Sequence, residues 1–146
     1  MHQTRQDQVE EHVLGAARVR VLVSGAATNG VYEIIEFRGE PGGLGPPAHV
    51  HRRASEAFIV LEGAIDLTVG DRTVHAGAGA TMHVAPGEAH RFEYAAPGTR
   101  FLAMLTPATG FDAYIAGLGD LVREGGGTPD AARREALMAR HDAFPG

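Results

Sequence analysis

Between Gly43 and Gly63 the chain reads GLGPPAHVHRRASEAFIVLEG, and this stretch constrains the fold more tightly than any other. Side chains two residues apart on a strand point to the same face, so His49 and His51 aim at one point, roughly 6.6 Å apart along the strand. Gly39 to Pro47 is too rich in glycine and proline for regular structure and reads as a loop delivering the chain to His49. Arg52 to Ser55 are polar or small and suit a turn. Glu56 then opens the strand-favouring run Ala57 to Leu61. Imidazoles with a carboxylate suit a first-row divalent transition metal, and fewer than six protein ligands leave room for a substrate.

Taken alone, His-x-His is a weak signal in a chain with eight histidines. Its company strengthens it: a nearby glutamate, prolines upstream, bracketing glycines, and His90 just ahead of an aromatic residue. Gly43-x5-His49-x-His51-x4-Glu56-x6-Gly63 resembles the first motif of the cupin family at every defined position. Gly79-x5-Ala85-Pro86-Gly87-x2-His90-x3-Tyr94 is similar to the second. It departs at Ala85, where the family usually has proline, and at Tyr94, where it usually has asparagine.

The resemblance runs from about residue 18 to about residue 110. It implies an all-β fold, the double-stranded β-helix or jelly-roll barrel, with a metal held by His49, His51, Glu56 and His90. One divalent transition metal per chain is implied, with Fe, Mn, Ni or Co favoured and Zn or Cu as alternatives. Small cupins of this type include quercetinase-like dioxygenases, polyketide cyclases, isomerases and binding modules without catalysis. The expectation is a quercetinase-like dioxygenase acting on an aromatic or enolisable small molecule. A metal-dependent cyclase or isomerase, and a non-catalytic sensor or binding protein, are the alternatives. Glu56, the one carboxylate of the four, is the expected catalytic base.

The rest of the chain is consistent with a small β-rich domain. At 146 residues a single domain over 1–146 is expected, with a flexible N-terminus at 1–8, a barrel over 18–107 and C-terminal helices over 108–146. RVRVLVS from Arg18, VYEIIEFR from Val31, AIDLTV from Ala64, TMHVA from Thr81 and TRFLAMLT from Thr99 all read as strands. Gly70-Asp71 reads as a tight hairpin turn. After Pro107, Phe111, Tyr114, Ile115, Leu118, Leu121 and Val122 form a helical stripe able to cover one opening of the barrel. Thr128 is the expected N-cap of a second helix, with Pro129 at its first position.

Parity turns Phe58 and Val60 inward with Glu56, and Phe92 and Tyr94 inward with His90. With Met82 and Val84 they are the expected pocket lining, apolar walls that suit a flat organic ligand. His75 and His83 are expected to face outward. The absence of cysteine excludes disulfides and thiolate ligands, and the absence of lysine excludes Schiff-base chemistry at that residue. A net charge of −5 without a basic cluster argues against nucleic acid as a partner. No apolar window is long enough to span a membrane, and a cytoplasmic protein is expected. RVRVLVS, taken as an exposed edge strand, predicts a homodimer.

Overall fold

The computed structural model describes the chain apart from His2 and Thr4. Among the described residues eleven strands form two sheets. Strands β1 (His12–Leu14), β2 (Ala17–Val23), β3 (Glu33–Gly39), β4 (His49–His51), β5 (Ser55–Glu62) and β6 (Ala64–Val69) are followed by β7 (Arg72–Gly77), β8 (Thr81–Val84), β9 (His90–Tyr94) and β10 (Thr99–Thr106). Helices α1 (Phe111–Glu124) and α2 (Ala131–Ala139) come next, and β11 (Ala143–Pro145) closes the chain. One sheet runs β1-β2-β3-β10-β5-β8 and the other β11-β4-β9-β6-β7, all neighbours antiparallel. This is the jelly-roll arrangement, in which the inner faces of two antiparallel sheets share one core.

Period-two alternation explains which side chains meet there. On β10, Thr99, Phe101, Ala103 and Leu105 are buried while their neighbours are less so. On β5, Glu56, Phe58 and Val60 face in, and on β9, His90, Phe92 and Tyr94 do. Phe37 stacks on Phe101 at 4.9 Å, and Phe92 meets Phe101 edge-on at 4.9 Å. Full burial of each such ring contributes about 1.5–3 kcal/mol. Gly63, with φ +67°, turns β5 into β6, and a Cβ there would lie 2.5 Å from the Thr99 hydroxyl oxygen. Only glycine meets both demands.

Several boundaries differ from the sequence reading. The barrel sheet begins with β1, before residue 18, and β1 pairs with Ala17 to Val19 of β2. Of the RVRVLVS strand, β1 therefore covers Arg18 and Val19, and among the described residues it makes no pairing with Arg20 to Val23. Of the segment 1–8, His2 and Thr4 lie outside the described residues, and Gln6–Gln8 form a short 3-10 turn. Helix α2 is capped by Asp130, whose carboxylate accepts from the Arg133 N–H at 2.9 Å, rather than by Thr128. Aspartate caps at least as well as threonine and stands directly before the first helical residue.

The last residues are not helical. Strand β11 pairs antiparallel with β4, with Ala143 opposite His51 and Pro145 opposite His49. Between barrel and helices, the buried Glu33 carboxylate accepts from the Thr109 N–H at 2.8 Å, the Thr109 hydroxyl at 2.7 Å and the Phe111 N–H at 3.1 Å. That clamp sets where α1 starts. Its buried face then lies over the end of the barrel that carries the histidines.

Candidate metal centre

Strand β4 buries His49 and His51 and turns Val50 the other way, the pattern that alternation dictates. His90 opens β9 and is the Cα partner of His49 across the sheet. Glu56, second residue of β5, reaches in from the opposite sheet. The ring centroids of His49 and His90 are 4.3 Å apart, of His49 and His51 4.9 Å, and of His51 and His90 5.4 Å. One ligand atom from each of the four residues lies within 4.8 Å of the others, and all four residues are buried. Glu56 Oε2 is 2.9 Å from His90 Nε2 and 3.4 Å from His51 Nε2.

The far side of each ring settles its tautomer. His49 Nδ1 donates to the Pro47 carbonyl at 3.0 Å, His51 Nδ1 to the Asp142 carbonyl at 2.8 Å, and His90 Nδ1 to the Glu88 carbonyl at 2.9 Å. A carbonyl only accepts, so each Nδ1 carries the hydrogen and each Nε2 presents a lone pair. Three lone pairs and a carboxylate converging in a buried space need a cation among them. A proton on an Nε2 serves in the protein alone. A divalent transition ion suits the same donors better, because it can bind all of them at once. A backbone carbonyl behind every imidazole is the usual support of a metal-binding histidine.

The electrostatics agree. Burial opposes ionisation of Glu56, but its bonds with His51 and His90 outweigh that and hold its carboxyl at about 2. Burial, with His90 alongside, lowers His49 to about 4. Burial also works to lower His51, but the Glu56 carboxylate prevails and raises it above the ordinary imidazole value.

Asp142 is the residue that sequence reasoning missed. Its φ is +57°, its carbonyl backs His51, and its buried carboxylate accepts from the N–H groups of Arg52, Arg53 and Ala54 at 3.3, 3.0 and 2.9 Å. The turn between the two ligand-bearing strands β4 and β5 is thus pinned by a residue 88–90 positions further on. The only local hint is that aspartate tolerates the left-handed conformation.

A cavity of about 70 Å³ opens beside His49 and His51, walled by β-strand residues such as Phe37, Phe92 and Leu105 and by Tyr114, Ile115 and Leu118 of α1. Of the six residues expected to line it, Phe92 does. Phe58, Val60 and Val84 are buried in the core, and Met82 packs on its margin. Tyr94 packs its ring against Gly39 and Gly43, where a Cβ would come within 2.6 and 3.1 Å. Its hydroxyl is buried without a partner, and burial pushes the phenol well above its ordinary pKa. His75 and His83 are exposed, the former bonded to Asp66 at 2.7 Å.

Residues 36–105 match the family model of the cupin domain. With the two-sheet barrel, this match supports a small cupin-type protein. A stretch of 99 residues is 25% identical to quercetin 2,3-dioxygenase of Bacillus subtilis (strain 168), covering 68% of this chain and 29% of that enzyme. Among solved structures, the polyketide cyclase RemF of Streptomyces resistomycificus is 26% identical with a TM-score of 0.61, over 73% of this chain and 79% of that one. An RmlC-like cupin from Shewanella frigidimarina superposes with a TM-score of 0.62 at 20% identity, over 74% of this chain and 92% of that one, and shares the fold. Among the described residues no helix is long and apolar enough to cross a membrane.

Proposed function

We propose that the protein is a metal-dependent enzyme that acts on an enolisable or aromatic small molecule by dioxygenation. The observation that carries this reading is the convergence of four buried ligand atoms beside a largely apolar cavity, which His49 and His51 line. His49, His51 and His90 would hold the ion through Nε2 and Glu56 through Oε2. Bound there, a divalent ion supplies Lewis acidity toward a substrate oxygen and, if redox-active, a route to dioxygen. Glu56 is the group able to take a proton from substrate, because its Oε2 already sits where a proton is shared with His90 and His51. The walls, Phe37, Phe92, Leu105 and Ile115 among them, keep water from that exchange.

Cavity size restricts the substrate. An apolar cavity of roughly 150 Å³ accepts benzene, whereas the inner cavity here is about 70 Å³. A three-ring flavonol would have to extend into the neighbouring groove of about 290 Å³, which shares Leu44, Arg134, Met138 and Ala143 with it. A short enolisable molecule fits the inner cavity better. The relative from Bacillus subtilis supports dioxygenation. A cyclase reading is supported by RemF, which matches over most of both chains. Metal-loaded protein should consume dioxygen in step with substrate. Turnover that proceeds equally under anaerobic conditions would transfer the assignment to cyclisation, and protein that takes up no transition metal would remove both.

A further inference from the structure

We infer that Arg134 is the anion-binding residue of the substrate site, and that the substrate is an organic carboxylate with an apolar body. The inference rests on the site proposed above and specifies its ligand. Arg134 lies in α2 and lines both the inner cavity beside His49 and His51 and the outer groove. It stands where the two meet.

Its hydrogen bonds account for only part of the guanidinium. Nη2 donates to the Gly45 carbonyl at 2.9 Å, and the Tyr114 hydroxyl also accepts from it. Nε is buried with no partner. Among the described residues no carboxylate pairs with Arg134, and Glu135, its neighbour in the outer groove, is exposed and does not reach it. A half-buried guanidinium without a counter-ion in a largely apolar wall carries a cost, and an anion in front of it would relieve that cost. The half-buried arginines of the β2-β3-β10 sheet do have an acid: Arg20, Arg38 and Arg100 share the buried Glu36. Arg134 is built differently because its counter-ion arrives with the ligand.

The geometry of the walls sets the rest. A planar carboxylate takes two N–H groups of a guanidinium side by side, which an amide or alcohol cannot do with equal strength. The inner cavity that Arg134 lines also carries the apolar Phe92, Leu105 and Ile115 together with His49 and His51. A molecule anchored by its acid at Arg134 therefore presents its other end to His49 and His51.

The test compares butyrate with butyramide, which share a short chain suited to the inner cavity and differ in charge. Titrations are run on chelator-treated protein, so that no carboxylate binds through a metal, and then repeated after metal loading. Wild-type protein should bind butyrate about tenfold or more tightly than butyramide, the range for a charged hydrogen bond. Arg134→Met should abolish that preference while leaving metal affinity unchanged. Arg134→Lys, which keeps the charge and loses Nε, should keep a reduced preference. It also serves as the check if the Met variant does not fold. Equal binding of the two probes by wild-type protein, or a preference that survives in Arg134→Met, overturns the inference. Butyrate preference in protein that takes up no metal sinks the enzymatic reading and leaves this one standing.

Discussion

Replacing Asp142 by alanine separates the support of the metal centre from its ligands. The substitution deletes three hydrogen bonds from the Arg52–Ala54 turn to a buried carboxylate. Arg52 and Arg53 are exposed, so water replaces their bonds. Ala54 is 1% exposed and its N–H has no substitute acceptor, which costs about 2 kcal/mol. Alanine at φ +57° adds about 1 kcal/mol. The Arg53 ion pair, 3.8 Å long with Arg53 at 73% side-chain exposure, adds little. The total of about 3 kcal/mol corresponds to a fall of roughly 6–12 °C in Tm for a chain of this size.

Metal affinity should fall as well. The carbonyl that backs His51 remains in the variant, but the clamp that holds it against β4 does not, and loss of such support costs about 10–100-fold in affinity. Asp142→Asn keeps one acceptor oxygen and tolerates the same backbone, so it should lose less of both quantities. Competition against a chromophoric chelator measures affinity, and thermal unfolding of the same preparation measures stability. A variant that loses stability but binds metal with wild-type affinity would refute the positioning argument, leaving Asp142 as a fastener of the chain end.

Glu56→Gln should retain most of its metal through the three histidines yet lose at least about a hundredfold in rate; metal content and turnover lost in parallel would make Glu56 a ligand alone. Chelator-treated protein should be most stable near pH 6.5, by thermal melts across pH. His49, lowered to about 4, contributes stability that is lost as pH falls from its ordinary value of 6.5, and Glu56, lowered to about 2, loses its share as pH falls below 4.5. His51, raised, contributes stability present below 6.5 and lost as pH rises, so melting temperatures that climb steadily to pH 8 would contradict the assignment. Glu33→Gln should lower the urea midpoint by the equivalent of about 2 kcal/mol, since a neutral amide cannot satisfy the three donors of the Thr109–Phe111 link. A change under about 0.5 kcal/mol would mean that the clamp is dispensable.

What the sequence made legible was local. Period-two alternation placed His49 with His51 and Glu56 with Phe58, because a strand repeats every two residues whatever surrounds it. Parity says which side chains face in, but not whether they meet a core or a cavity. Phe58, Val60 and Val84 face in and fill the core, whereas Phe92 faces in and borders the open space. That space owes its walls to Leu44, Tyr114, Arg134 and Met138, which follow no strand period. Asp142 was illegible because its partners lie about ninety residues away and its carboxylate binds three backbone N–H groups, which no side-chain pattern reveals. The C-terminal strand escaped notice because three residues are too few to show a period, and Pro145 argues against a strand except at a sheet edge, where β11 lies.

His49 and His90 form the one Cα-paired rung between β4 and β9 among the described residues, and outside it the Gly87 N–H donates to the His51 carbonyl at 2.8 Å, so β4 and β11 are lightly tied to the remainder of their sheet. An ion held by both imidazoles would rivet the same two residues a second time, through their side chains. Metal occupancy should then be written into the backbone: the amides of Val50, His51 and Ala143 should exchange their hydrogens slowly when the ion is bound and open locally when it is stripped. Strands β6 and β7, stitched to one another along their whole length, should not notice the difference.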